Sequence, residues 1–184
     1  MHWLLSQAHA TDLDRRPGES VTSYAGRLLP PGSELASNAV ELKLGTLGKV
    51  TVILFTPDKE VANYTGWVMV PTGPTPVTYR KVVLPPLTTA EGLFDIEVKS
   101  IFATDVDADG VPELCVLSQY YRNGSGEKAY PATDCFRWKG EGFGLVEASG
   151  PLTVGLRDAK SVRSYFLKHP IKRGAGLPPS GGKP

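Results

Sequence analysis

Hydrophobic and polar positions alternate along most of this chain, in short runs broken by clusters of Gly, Pro, Asn and Asp. A period of two sends successive side chains to opposite faces of a strand, so the pattern predicts β structure with turns at the breaks. Residues 41–44, 49–56, 64–71 and 78–84 read as the strands of a first meander. Its breaks are Gly45-Thr46-Leu47-Gly48, Pro57-Asp58-Lys59-Glu60 and the proline-rich 71–76, and Pro85-Pro86 ends it. Val50-Thr51-Val52-Ile53-Leu54-Phe55 is nearly continuous in apolar residues, as a central strand covered on both faces requires. A second meander has strands at 94–104, 113–122, 130–139 and 143–147, the last hairpin turning on Lys139-Gly140-Glu141-Gly142.

The period changes at 155–169, where a helix is predicted. Asp158 stands as its cap, Ala159, Val162 and Phe166 share one face with Tyr165 beside them, and Pro170 stops it. Residues 21–35, with Pro30-Pro31-Gly32, give no definite element. Residues 1–20 read as a flexible lead-in, in which Trp3-Leu4-Leu5-Ser6-Gln7-Ala8-His9-Ala10 looks like the end of a secretory signal peptide. Residues 171–184 read as a disordered tail. The expected architecture is a single mainly β domain over 21–170. Two antiparallel β-meanders, 21–86 and 94–147, pack as a sandwich or as blade-like sheets, with one C-terminal amphipathic helix.

Candidate chemistry is concentrated in the turn between the first two strands of the second meander. Asp105, Asp107 and Asp109 stand two residues apart, Gly110 follows, and Glu113 lies eight positions after the first acid. Calcium takes six to eight oxygens, and a loop that curls around it offers side chains from alternate positions. Asp105, Asp107 and Asp109 would be those ligands, joined by the Val111 carbonyl and by Glu113 directly or through water. An EF-hand is excluded, because its twelfth position here is Val116 and the flanks have strand rather than helix character. Asp and Gly are also ordinary turn formers, so an acidic turn without metal is the alternative.

Cys115 and Cys135 are the two cysteines of the chain. The turn Asn123-Gly124-Ser125-Gly126 lies between them, and a hairpin centred near Ser125 pairs residues whose numbers sum to about 250, as this pair does. In that register they face each other within disulfide reach, and the disulfide places the protein in an oxidising compartment. A slipped register would leave two buried thiols.

The run Phe102-Ala103-Thr104-Asp105-Val106-Asp107-Ala108-Asp109-Gly110, followed by Glu113-Leu114-Cys115-Val116-Leu117, resembles the calcium-binding hairpin of FG-GAP and VCBS-type repeats. The resemblance covers roughly residues 96–147 and implies calcium ligation by Asp105, Asp107, Asp109, Val111 and Glu113. In that group such hairpins belong to β-propeller blades, and single copies occur in secreted bacterial proteins. This chain of 184 residues carries one such loop, too little for a whole propeller.

Charge and composition narrow the function. Net charge is +1, which offers no electrostatic case for nucleic acid or an anionic membrane, and no apolar run is long enough to span a bilayer. Three histidines, His2, His9 and His169, leave little for a catalytic triad or zinc site, and no phosphate-binding glycine loop is present. The reading is a calcium-binding module in the periplasm or secreted, without catalytic residues. It would engage a protein or glycan through surface aromatics such as Trp67, Tyr120, Tyr121 and Trp138, the alternative being that most of these rings belong to the core. The competing reading is a secreted or periplasmic hydrolase with a structural calcium near its site.

Overall fold

The computed structural model describes residues 13–57, 64–73, 78–85, 94–122 and 125–172. Nine strands form two antiparallel sheets among these residues. The first sheet holds β1 (Glu34–Leu35), β2 (Val40–Leu44), β3 (Gly48–Thr56), β4 (Thr65–Pro71) and β5 (Tyr79–Val83). β1 and β2 share one edge of β3: β1 lies opposite Phe55 and Thr56, and β2 opposite 48–52. The second sheet is a meander in chain order, β6 (Phe94–Thr104), β7 (Glu113–Arg122), β8 (Lys128–Trp138) and β9 (Phe143–Leu145).

Strand alternation explains how the sheets stack. Val50, Val52 and Leu54 of β3, with Val68 and Val70 of β4, share a buried cluster with Leu114 and Val116 of β7 and Phe136 of β8. The two sheets therefore form a sandwich, with this cluster as the core between them. Gly66 of β4 leaves room for neighbouring leucines of its own sheet, since a Cβ would come 2.6 Å from Leu54 Cδ2 and 2.7 Å from Leu84 Cδ1. Ile53, Phe55 and Met69 point the other way and pack on Tyr24 and Ala25 of α1 (Val21–Leu28). That second cover is why β3 reads as a continuous apolar run. The outer face of the second sheet buries Phe102, Cys115, Leu117 and Cys135 against Val162 and Phe166 of α3 (Ala159–Lys168). The layer order is thus helix, sheet, sheet, helix.

The mainly β expectation holds, and the strand bounds move by at most two residues. The C-terminal helix is present as α3, and two further helices accompany it. α1 occupies part of the stretch left without an element, and a one-turn α2 (Ser149–Leu152) follows β9. α1 has a local code: Ser23 N–H donates to Ser20 Oγ at 3.0 Å as an N-cap, and Val21, Tyr24, Ala25 and Leu28 follow helical spacing. Eight residues are too few for that period to stand out in sequence. α3 begins after its Asp158 cap rather than at 155. The expected signal-like segment lies within residues 1–12, outside the described residues, as does most of the predicted tail.

Candidate metal centre

The acid loop joins β6 to β7, so it is set between two long paired strands rather than between helices. Asp105 organises its backbone: Oδ1 accepts Asp109 N–H at 3.2 Å and Oδ2 accepts Gly110 N–H at 2.8 Å. Asp109 Oδ1 in turn accepts Val111 N–H at 2.7 Å. The chain closes this curl through two left-handed residues, Ala108 at φ 59° and Gly110 at φ 84°. Glycine adopts that conformation without penalty, whereas Ala108 holds it at a cost that the surrounding hydrogen bonds offset. Carboxylate oxygens of Asp105, Asp107 and Asp109 then lie within 4.8 Å of one another. Three acids at that separation repel in the absence of a cation, and a divalent ion between them removes the repulsion.

The side chains differ in setting. Asp109 is exposed, whereas the Asp107 side chain is 1% exposed. Asp107 Oδ2 accepts Arg137 Nη2 at 2.8 Å, and its Oδ1 is buried without a hydrogen bond among the described residues. Val106, between Asp105 and Asp107, is fully buried in the cluster under α3, which anchors the loop to the outer face of the sheet.

Glu113 stands apart from the three aspartates. Its Oε2 accepts Val106 N–H at 3.0 Å and its Oε1 accepts Arg137 Nε at 2.9 Å. Each oxygen thus takes one hydrogen bond at the loop base, and the cluster of converging carboxylates comprises Asp105, Asp107 and Asp109. Burial pushes the Glu113 carboxyl above its usual range, opposed by the Val106 N–H and the Arg137 guanidinium. For Val111 the structure gives its N–H bond to Asp109 and a half-exposed side chain.

Arg137 is the residue that sequence reasoning missed. The hairpin register that pairs Cys115 with Cys135 also sums to 250 at 113 and 137, so the signal for an arginine across from Glu113 was present. Cys115 and Cys135 do occupy that register, with Cα atoms 4.2 Å apart and their sulfurs at disulfide distance. Backbone bonding shows why the side chains meet. Cys135 N–H goes to Ser149 Oγ and its carbonyl accepts Val146 N–H, away from β7. The pair is therefore the closely spaced, non-hydrogen-bonded kind.

Of the four aromatics named as contact candidates, Tyr120 is buried, and Trp67, Tyr121 and Trp138 are half-buried. Tyr120 is 5% exposed and its O–H donates to Asp134 Oδ2 at 3.0 Å. Trp67 packs edge-on to Phe55 beneath Lys81, and Trp138 edge-on to Phe143 beneath Arg80. Tyr121 O–H donates to Glu97 Oε2 at 2.6 Å. Sequence alternation alone does not distinguish rings that pack against neighbours from solvent-facing ones.

No helix among the described residues is long and apolar enough to cross a membrane. Comparison with protein-family models, with curated proteins and with solved structures finds no match to this chain.

Proposed function

We propose that this chain is a calcium-stabilised β-sandwich that serves as a binding module for a protein or glycan outside the cytosol. The observation that carries the reading is the convergence of Asp105, Asp107 and Asp109 to within 4.8 Å in a loop already curled by its own backbone. Oxygen-only donors from alternate residues suit a hard cation with a flexible shell, and calcium fits better than the smaller, octahedral magnesium. Arg137 offsets part of the negative charge but divides itself between Asp107 and Glu113, so the aspartate cluster keeps an excess for a divalent ion. The resemblance to FG-GAP and VCBS-type hairpins points to the same metal. The paired cysteines favour an oxidising compartment, where calcium is abundant enough to fill weak sites.

Thermal unfolding in EDTA and in millimolar calcium tests the metal. At 100 times the dissociation constant, binding adds about 2.7 kcal/mol. The melting temperature should rise with calcium in the native chain and stay fixed in Asp105→Asn/Asp109→Asn. An unchanged melting temperature in the native chain would refute the calcium reading. Capture of partners from an extracytoplasmic fraction, with and without EDTA, tests the module: a partner set indifferent to the chelator argues against a calcium-supported surface.

A further inference from the structure

A second site lies away from the acid loop, where β7 and β8 pass beside the one-turn α2. Tyr120, Tyr130 and Asp134 line an open cavity of about 530 Å³ there, together with Glu147 and the apolar Leu145 and Val154. The volume is that of a small-molecule cleft. Asp134 shares the inward face of the second sheet through its pairing with Val116, and it is 6% exposed. A carboxyl in that position is costly to ionise unless something compensates it. Its hydrogen bond from the Tyr120 hydroxyl at 3.0 Å supplies one donor. Burial raises its pKa to about 6.

The rings of Tyr120 and Tyr130 stack at 5.1 Å with 22° between their planes, presenting π surface beside the carboxyl. Gly150 of α2 keeps the opening clear, because a Cβ there would come 3.2 Å from Asp134 Oδ1. None of the residues lining the cavity is basic, although two are acidic. Val154 at the rim is 53% exposed, an apolar surface of the kind that a methylene stem covers.

We propose that this cleft binds an alkylammonium group, its cation seated between Asp134 and the tyrosine faces and its methylene stem along Leu145 and Val154. The chemistry is charge pairing combined with a cation–π contact in a partly dry pocket. A free diamine and a lysine side chain both present that group. The inference is independent of the calcium reading, since it uses none of the loop residues.

Titration of the full chain with cadaverine and with Nα-acetyl-lysine methylamide, followed by the amide signal of Gly150 and the tyrosine ring signals in NMR, tests it. Nα-acetyl-norleucine methylamide is the neutral control. At pH 7.5 saturable binding of either amine is expected, with norleucine at least tenfold weaker. Binding of cadaverine alone assigns a free amine, and binding of the lysine amide assigns a side chain. Affinity should fall about tenfold at pH 5, as Asp134 takes up its proton. The other titratable groups facing Asp134 are Tyr64 and Tyr120, whose burial raises their pKa, with Tyr130 and Glu147. Asp134→Asn should weaken amine binding at least tenfold while remaining folded. Tyr130→Ala provides a second variant on the ring face and should also weaken it. No binding of either amine, or norleucine binding as well as the lysine amide, overturns the proposal.

Discussion

Replacing Arg137 by Met removes the guanidinium and keeps much of the aliphatic stem, so it isolates the charge that holds the base of the acid loop. Two charge-assisted bonds are lost, at 2.8 Å to Asp107 and 2.9 Å to Glu113, whose side chains are 1% and 2% exposed. Breaking a buried pair by removing one partner costs about 3–5 kcal/mol, because the remaining charges stay out of water without compensation. The Arg137 side chain keeps 29% of its surface in solvent, which favours the lower end. A loss of about 3 kcal/mol in a domain of this size lowers the melting temperature by roughly 6–12 °C. The assay is thermal unfolding in EDTA by circular dichroism, repeated in saturating calcium. Calcium should recover part of the loss, and its stabilising shift should exceed that of the native chain, since Asp107 Oδ2 is released from its cationic partner. A loss within about 1 kcal/mol, the range of surface pairs, would refute the buried-pair argument. An unchanged calcium shift would show that Arg137 and the metal do not compete for Asp107.

Asp134 predicts a pH dependence of stability. Its folded pKa of about 6 lies above the ordinary 3.8, so its contribution is complete below about pH 4 and is lost as pH rises through 6. The difference corresponds to about 3 kcal/mol. Asp134→Asn should therefore match the native chain near pH 4 and exceed its stability by up to that amount at pH 8; parallel profiles in urea unfolding would contradict this. The cysteine pair spans 20 residues in sequence, and losing such a cross-link costs about 3 kcal/mol. Cys115→Ala/Cys135→Ala should lower the urea midpoint accordingly, whereas a midpoint insensitive to reduction in the native chain would show that no cross-link exists in solution.

Much of this architecture is written locally. Strands and turns were legible because period two and Gly/Pro punctuation are properties of neighbouring residues, and the hairpin around Ser125 fixed the opposition of Cys115 and Cys135 by counting alone. The acid loop was legible for the same reason: Asp105, Asp107, Asp109 and Gly110 close a curl over a few bonds. Tertiary structure decided what depends on distant surfaces. α1 persists because Tyr24 and Ala25 seal the outer face of β3, a contact that eight residues of sequence do not announce. Glu113 became a strut rather than a member of the aspartate cluster because β8 brings Arg137 across to it. Tyr120 and Asp134 were drawn together on the inward face of the second sheet, where burial and one hydrogen bond turned an unremarkable acid into the wall of a cleft. Local periodicity sets which way a side chain points, and the stacking of layers sets what it meets.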